Sequence, residues 1–530
     1  MATTGNKRVS ARATGVVGVA ILCSRVLGLV REMVIASLFG ASRNLDAFLT
    51  AFRAPNMLRD LFAEGALSTA FVTTFSKKIT TEGDQSAWAL ANKVATLTTV
   101  FMSATTLVGI VFAPWLVGIL APGFDPAKME LTILLTRVMF PFILMVSLAA
   151  LAMGMLNAKD VFGVPAMASS FFNLGSIIGG VVFAWWLDPH FGPRALVGLS
   201  LGTLLGGFLQ LVVQVPSLMK VGFVLRTDFH WRDEGVKKVL QLMGPAVIAA
   251  SAVQVNVLIN SIFASYLQDG AVSWLNVAFR LMQLPLGIFG VAVATVTLPL
   301  ISRSAAAGNK EEFAGALAHA LRLVMLLTIP SAIGLIILAE PIIGLIYQHG
   351  RFTFASTLQT AAALRFYAIG LVGYASVKVL APAFYALDRR NLPMLVSILS
   401  IALNFCLNWL LTFHFGLGHK GLALSTSCIA VVNFLLLYVM MRLYAGPLET
   451  GTLLRTFAKL LVAGACLGAV CWLGRQFFFA HGIPRSEWQR LVGVLTTVIA
   501  GGAVFFGAAY ALRVAELHDL VAVVRRKLGR

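Results

Sequence analysis

Apolar runs long enough to cross a bilayer recur along almost the whole chain, and no other feature constrains its fold as much. A helix needs roughly 20 mostly apolar residues to span the hydrocarbon core. Such runs fall near residues 15–39, 60–79, 90–120, 130–155, 162–187 and 193–217. After the basic segment from Lys220 to Lys238 they resume near 239–266, 273–302, 314–338, 357–386, 392–413 and 420–442, with two more near 456–477 and 488–512. The 530 residues are 58% hydrophobic and 12% charged, which leaves no polar stretch large enough for a soluble catalytic domain. The expected fold is an all-α integral membrane protein of about fourteen spanning helices, with any function inside the membrane or in short loops.

A net charge of +19 would point a soluble protein toward nucleic acid. In a membrane protein the cytoplasmic loops collect Lys and Arg instead. Summed on alternate sides of the fourteen runs, twenty-three basic loop residues, from Lys7 and Arg8 to Arg530, face seven, among them Arg43, Lys128, Arg351, Arg475 and Arg485. That bias predicts cytoplasmic termini and no nucleic-acid partner. Lys7, Arg8 and Arg12 before Val16–Cys23 imitate a secretory signal, but the run continues past Arg25 and Arg31 to Phe39, too long for one. The five cysteines stand singly and read as buried thiols.

Lys93, Arg322 and Arg490 lie near predicted helix ends, where snorkelling suffices. Eight bases remain at membrane depth: Arg25, Arg31, Arg53, Arg59, Arg137, Arg280, Arg365 and Lys378. Each costs at least about 2.5 kcal/mol there, so such residues face hydrated cavities and mark pathways. Only Glu32, Asp46, Asp60 and Glu64 fall in or beside the first two spans, and the interior is expected to be net cationic. Such a cavity suits an anion, and the planar guanidinium grips phosphate or carboxylate with two bonds.

The halves match weakly at an offset of about 227. Ile35–Phe39 followed by Ala51-Phe52-Arg53 resembles Ile259–Phe263 followed by Ala278-Phe279-Arg280. Two six-helix lobes entered from the same side would be parallel repeats, with Arg53 and Arg280 as symmetric partners on one central cleft. Within the first span, Ser24, Gly28 and Arg31 share a helical face, and Arg25 lies about 100° away. Pro55 biases its surroundings against regular helix. Glu64 stands as a loose anchor for Arg59, Trp274 as an interfacial anchor, and Asn404 and Asn408 as interhelical hydrogen-bond partners. Arg137 and Arg365 are either paired or near an interface. Signs of catalysis are poor: the eight histidines form no ligand cluster and no phosphate loop is present. Asp233-Glu234 and Glu311-Glu312 read as solvated helix starts. Neither an enzymatic activity nor a metal or cofactor is expected.

The strings Ser24-Arg-Val-Leu-Gly-Leu-Val-Arg31, Asp46-Ala-Phe48, Arg53-Ala-Pro-Asn56, Arg59, Phe62-Ala-Glu-Gly-Ala66, Ala121-Pro-Gly-Phe124, Ser273-Trp274, Arg280-Leu281 and Val377-Lys-Val-Leu-Ala-Pro382 resemble the MurJ (MviN) family. These are bacterial lipid II flippases of the MOP exporter superfamily. The resemblance covers the whole chain and implies movement of the undecaprenyl-diphosphate-linked peptidoglycan precursor from the inner to the outer leaflet of the cytoplasmic membrane. It implies substrate-binding roles for Arg25, Arg31, Asp46, Arg53, Arg59, Ser273, Arg280 and Lys378. Family members often carry Lys where this chain has Arg53, and some carry an acid where it has Phe279, so a salt bridge to Arg280 is not expected there. Where some relatives have a sodium-binding acid in the seventh span, this one has Gln254, Asn256 and Asn260, which argues against sodium coupling.

The resulting expectation is a lobe over 1–228, a second over 229–446, and two last spans over 447–530 that groove the lipid tail. The lobes would rock by alternating access, and the membrane potential, worth roughly 2.3 kcal/mol per charge per 100 mV, would help reset an empty cationic cavity. The implied partners are lipid II, membrane lipids and cell-wall synthesis proteins. The rival readings are a MOP-type exporter of another lipid-linked oligosaccharide or of a drug, a membrane glycan polymerase, and a scaffold for cell-wall enzymes.

Overall fold

The computed structural model of the chain describes residues 11–480, 482–484 and 486–527, the side chains at 11–16, 63–66, 249, 520 and 523–527 excepted. Lys7, Arg8, Arg485 and Arg530, and the side chains of Arg12, Glu64, Arg525, Arg526 and Lys527, thus lie outside the described residues. Every regular element among the described residues is helical. The chain divides into two compact units, one ending at Asp269 and one beginning at Gly270.

The first unit comprises α1 (Ala11–Phe39), α2 (Arg43–Arg59), a π-helical segment π1 (Asp60–Leu67), α3 (Ser68–Glu82), α4 (Asp84–Val111), α5 (Ala113–Leu120), α6 (Pro126–Met139), α7 (Phe142–Ala158), α8 (Gly163–Leu187), α9 (Ala195–Val212), α10 (Val215–Lys220) and α11 (Glu234–Ser265). Its tightest seam joins α8 to α9. A Cβ added at Gly202 would meet the Gly180 nitrogen at 2.1 Å, and one at Gly198 would meet the Ala184 nitrogen at 2.4 Å. Two helices without a hydrophobic drive between them hold by such close backbone approach. α11, which follows the basic segment from Lys220 to Lys238, belongs to the first compact unit, where it packs on π1, α3, α4 and α5. The linker before α11 lies along α4: Asn92 Nδ2 donates to Val224 O at 3.1 Å, Arg226 N to Asn92 Oδ1 at 2.9 Å and Asp228 N to Thr96 Oγ1 at 3.1 Å. Asn92 and Thr96, one turn apart, thus satisfy backbone groups of a segment that has no ladder of its own.

The second unit comprises α12 (Ala271–Pro285), π2 (Leu286–Gly290), α13 (Val291–Ala306), α14 (Lys310–Ile337), α15 (Ala339–Ile346), α16 (Phe354–Ile369), α17 (Leu371–Ala386), α18 (Asn391–Trp409), π3 (Leu410–His414), α19 (His419–Ala445), α20 (Thr450–Phe479), α21 (Glu487–Ala511) and α22 (Ala515–Lys527). α16 and α17 meet at a 44° bend, and Ser427 Oγ donates there to Phe366 O at 2.6 Å and Tyr367 O at 3.1 Å. A side chain from α19 thereby satisfies carbonyls loosened by the bend, the condition for broken helix in lipid. Two bases expected to snorkel are instead buried. Arg322 bridges Glu449 at 2.6 Å and Glu516, and Arg490 donates to Gly344 O at 3.0 Å, Gln348 O at 3.3 Å and Pro484 O at 2.5 Å.

Among the described residues ten helices are long and apolar enough to span a membrane, or twelve when α16–α17 and the 40°-bent α11 each count as one span. They coincide with the third to fourteenth expected spans. The first two, α1 and the run from α2 to α3, carry the charges described next and fall outside that count. Asp233 caps α11 by accepting from Gly235 N, and Glu311 and Glu312 sit in the first turn of α14, as their pairing with helix starts implied.

Candidate functional site

Arg31 sits on the α1 face that packs against α8. Its guanidinium stands 5.1 Å from the Phe172 ring centroid and 3.9 Å from Glu32, while Asn173 Nδ2 donates to Ser24 O at 3.1 Å. The face shared by Ser24, Gly28 and Arg31 is therefore a packing face, and the cation–π contact holds Arg31 at its edge. Arg25, on the neighbouring face, is exposed.

On α2, Arg53 Nη1 donates to Ser261 Oγ at 2.5 Å. Six residues later the Arg59 fork closes on Asp60 Oδ1 through Nε at 3.2 Å and Nη2 at 2.8 Å, and Gln254 Nε2 donates to Asp60 Oδ2 at 3.4 Å. Gln254 and Ser261 are seven residues apart on α11 and share one face. The arginines before and at the start of π1 are thus held by a polar stripe on α11. π segments inside helices are frequent at functional sites, because they re-aim side chains and free a carbonyl. Gln254 matters here as the partner of Asp60.

Asp46 stands apart from this set. Fully buried, it pairs at 3.2 Å with Lys128 of α6, which also reaches Asp269 at 2.8 Å and lies 4.1 Å from the Phe124 ring centroid. Lys128, expected as an ordinary loop charge, is 3% exposed. Two buried opposite charges satisfy one another, so Asp46 is a carboxylate paired with Lys128.

In the second unit Arg280 is exposed on α12, six residues before π2. Its neighbour Phe279 meets Tyr367 edge-on at 5.3 Å. Ser273 is fully buried in the first turn of α12. Trp274 is buried against His419, ring centroids 5.1 Å apart, and is therefore a core residue instead of the expected interfacial anchor. A Cβ at Gly290 of π2 would meet Ala375 of α17 at 3.2 Å, and Lys378, one turn beyond Ala375, is exposed. Asn408 Nδ2 donates to Asn404 Oδ1 at 3.0 Å, a contact within α18. Arg365 is paired with Glu340, and Arg137 donates to Ile110 O at 3.2 Å.

Within the first unit the structure supports two guanidiniums, Arg53 and Arg59, six residues apart on α2. The family model for the lipid II flippase MurJ matches residues 35–493. The chain belongs to the MurJ family. A probable lipid II flippase MurJ of Vibrio cholerae serotype O1 is 35% identical over 517 residues, covering 96% of this chain and 97% of the relative. A solved MurJ lipid II flippase in an inward closed conformation shares the fold with a TM-score of 0.76, at 24% identity, over 97% of this chain and 99% of the other. An inward-facing multidrug resistance MATE transporter of the MOP superfamily matches with a TM-score of 0.66 at 15% identity, over 81% of this chain and 96% of the other. The MurJ relatives confirm the resemblance read from the sequence, and the MATE likeness is one of fold. Among the described residues the architecture is all-helical with helices apolar enough for several membrane passes, and these solved structures share that fold.

Proposed function

We propose that this protein flips lipid II, the lipid-linked peptidoglycan precursor, from the inner to the outer leaflet of the bacterial cytoplasmic membrane by alternating access. Membership of a family whose members are named for that activity supports the reading. The observation that carries it is the arrangement around π1, where Arg53 and Arg59 are supported by Ser261, Asp60 and Gln254, with Arg280 preceding π2 in the other unit. A diphosphate brings several negative charges, and guanidinium forks suit them better than point charges do.

In this reading Arg31, Arg59 and Arg280 bind the diphosphate headgroup. Arg25, Arg53, Ser273 and Lys378 complete the set, and Asp46 keeps its shape. The polyprenyl tail stays in an apolar groove of about 270 Å³ between α20 and α21, lined by Leu473, Gly474, Phe477, Phe478 and Thr497. Both termini face the cytoplasm, no covalent chemistry is done, and cell-wall synthesis proteins act beside it as partners. A cationic-drug exporter would be expected to line its path with acids, whereas this chain lines it with arginine.

The test is the fraction of lipid II exposed on the outer leaflet in cells depleted of the protein, complemented with wild type or Arg31→Ala. Exposure lost on depletion, restored by wild type and not by the variant, supports the reading. Exposure unchanged by depletion overturns it in favour of another lipid-linked cargo.

A further inference from the structure

Away from the residues assigned above, two arginines converge on one carboxylate in the second unit. Arg475 Nη2 of α20 lies 2.9 Å from Glu340 Oε2 and Arg365 Nη2 of α16 lies 3.8 Å from the same oxygen. Glu340, in the first turn of α15, is 14% exposed, while the arginines keep 37% and 39% of their side-chain surface open. Two guanidiniums around one carboxylate leave a single positive charge at a site that has two exposed donor forks.

The surroundings specify what neutralises it. One helical turn from Arg475, on the same face of α20, Trp472 is 55% exposed. One turn from Arg365, on the same face of α16, Ile369 is 50% exposed. Although α16 and α20 run through the sequence independently, each exposed apolar side chain lies on the side of its arginine nearer the middle of its span. Charge at the outside and apolar surface one turn deeper is the polarity of a membrane lipid, and an aromatic ring beside a cation is the usual dress of the headgroup level. Free phosphate has no use for Trp472 and Ile369.

We infer that Arg365, Arg475 and Glu340 form a binding site for the phosphate of an anionic phospholipid, a phosphodiester whose single negative charge matches the single unbalanced positive one. Its chains run past Trp472 and Ile369. By the loop-charge rule the site lies in the outer leaflet. The inference is independent of the proposed transport activity, because none of its residues belongs to the headgroup set.

The experiment uses the full chain in detergent micelles and follows thermal stability during titration with dioleoyl phosphatidylglycerol, with dioleoyl phosphatidylcholine and inorganic phosphate as separate arms. Saturable stabilisation by phosphatidylglycerol, absent in the other two arms, is expected for the wild type. Arg365→Gln and Arg475→Gln should each raise the half-saturating lipid concentration about tenfold, the loss of one charge-assisted pair. Glu340→Gln should lower it about threefold by removing the competing anion, a direction that a merely structural ion pair does not produce. Arg475→Lys, which keeps the charge, guards against misfolding and should stay within about threefold of wild type. The site is overturned if the double Gln variant titrates like wild type, if Glu340→Gln weakens binding as the arginine variants do, or if phosphatidylcholine or inorganic phosphate matches phosphatidylglycerol.

Discussion

Two regions of this molecule repeat one device with different support. In the first unit α2 carries Arg53 and Arg59 into π1 and α3; in the second, α12 carries Arg280 into π2 and α13. The offset that aligns Arg53 with Arg280 also aligns residue 60, the start of π1, with residue 287, inside π2. The first copy is braced by polar side chains of α11, Ser261 on Arg53 and Gln254 on Asp60. In the second, Arg280 is exposed and its chain neighbour packs as an aromatic on Tyr367. The π break and the preceding arginine are common to both copies, while the side chains beside them differ, polar from α11 in the first and aromatic in the second.

The largest effect tests the common part. Arg59→Ala and Arg280→Ala should each abolish lipid II exposure on the outer leaflet while the protein stays inserted, measured by complementation alongside membrane abundance. If one of the two leaves exposure at the wild-type level, the copies are not equivalent and only the sensitive one contacts substrate.

The next effect is one of stability and belongs to the first unit. Lys128→Met leaves Asp46 buried without its cation, and breaking a buried pair by removing one partner costs about 3–5 kcal/mol. A drop of several degrees in thermal midpoint is expected in detergent. The Lys128→Met, Asp46→Leu double variant should recover most of it, because two apolar residues replace both charges. If the double variant is stable yet silent in flipping, Asp46 has a role beyond its pair.

Much of this was legible in the sequence. Apolar run lengths located the spans, since bilayer thickness fixes them, and the bases at depth were conspicuous because they break those runs. Three features were not legible. Lys128 follows Asp125 and Pro126, a pattern that signals a helix start in a loop, and nothing local tells that Asp46 reaches it from eighty-two residues away. Trp274 reads as an interface anchor by residue type, and only the tertiary approach of His419 buries it. The π segments have no composition rule, because the wider turn is set by how neighbouring helices pack, as Ala375 does on Gly290. The basic linker before α11 likewise reads as a free loop in the sequence, whereas Asn92 and Thr96 strap it to α4.

A smaller effect sharpens the difference in bracing. Ser261→Ala removes the acceptor of Arg53 and should cost about 1 kcal/mol. Lipid II exposure should fall a few-fold, with no further change when Arg53 is already substituted. Additivity of the two changes would show that Ser261 acts by a route other than Arg53.

The smallest effect is a pH dependence at the root of the same helix. Burial pushes the Asp233 carboxyl up, but hydrogen bonds from Lys93 at 2.9 Å and from Gly235 N at 2.8 Å outweigh it and hold the group below the usual carboxylate range. A group whose folded value is depressed binds fewer protons folded than unfolded, so its stabilisation is complete above its ordinary value and is lost as pH falls through the folded one. The start of α11 should therefore stay pinned from neutral pH down to about 4 and loosen below it. Asp233→Asn should flatten that acid limb in a thermal-stability profile and lower the midpoint slightly at pH 7. Since α11 braces Arg53 and Asp60, hydrogen exchange in acid should rise around residues 53–60 before it rises around 280–290. Simultaneous loosening of both would mean that the two copies do not hold their shape independently.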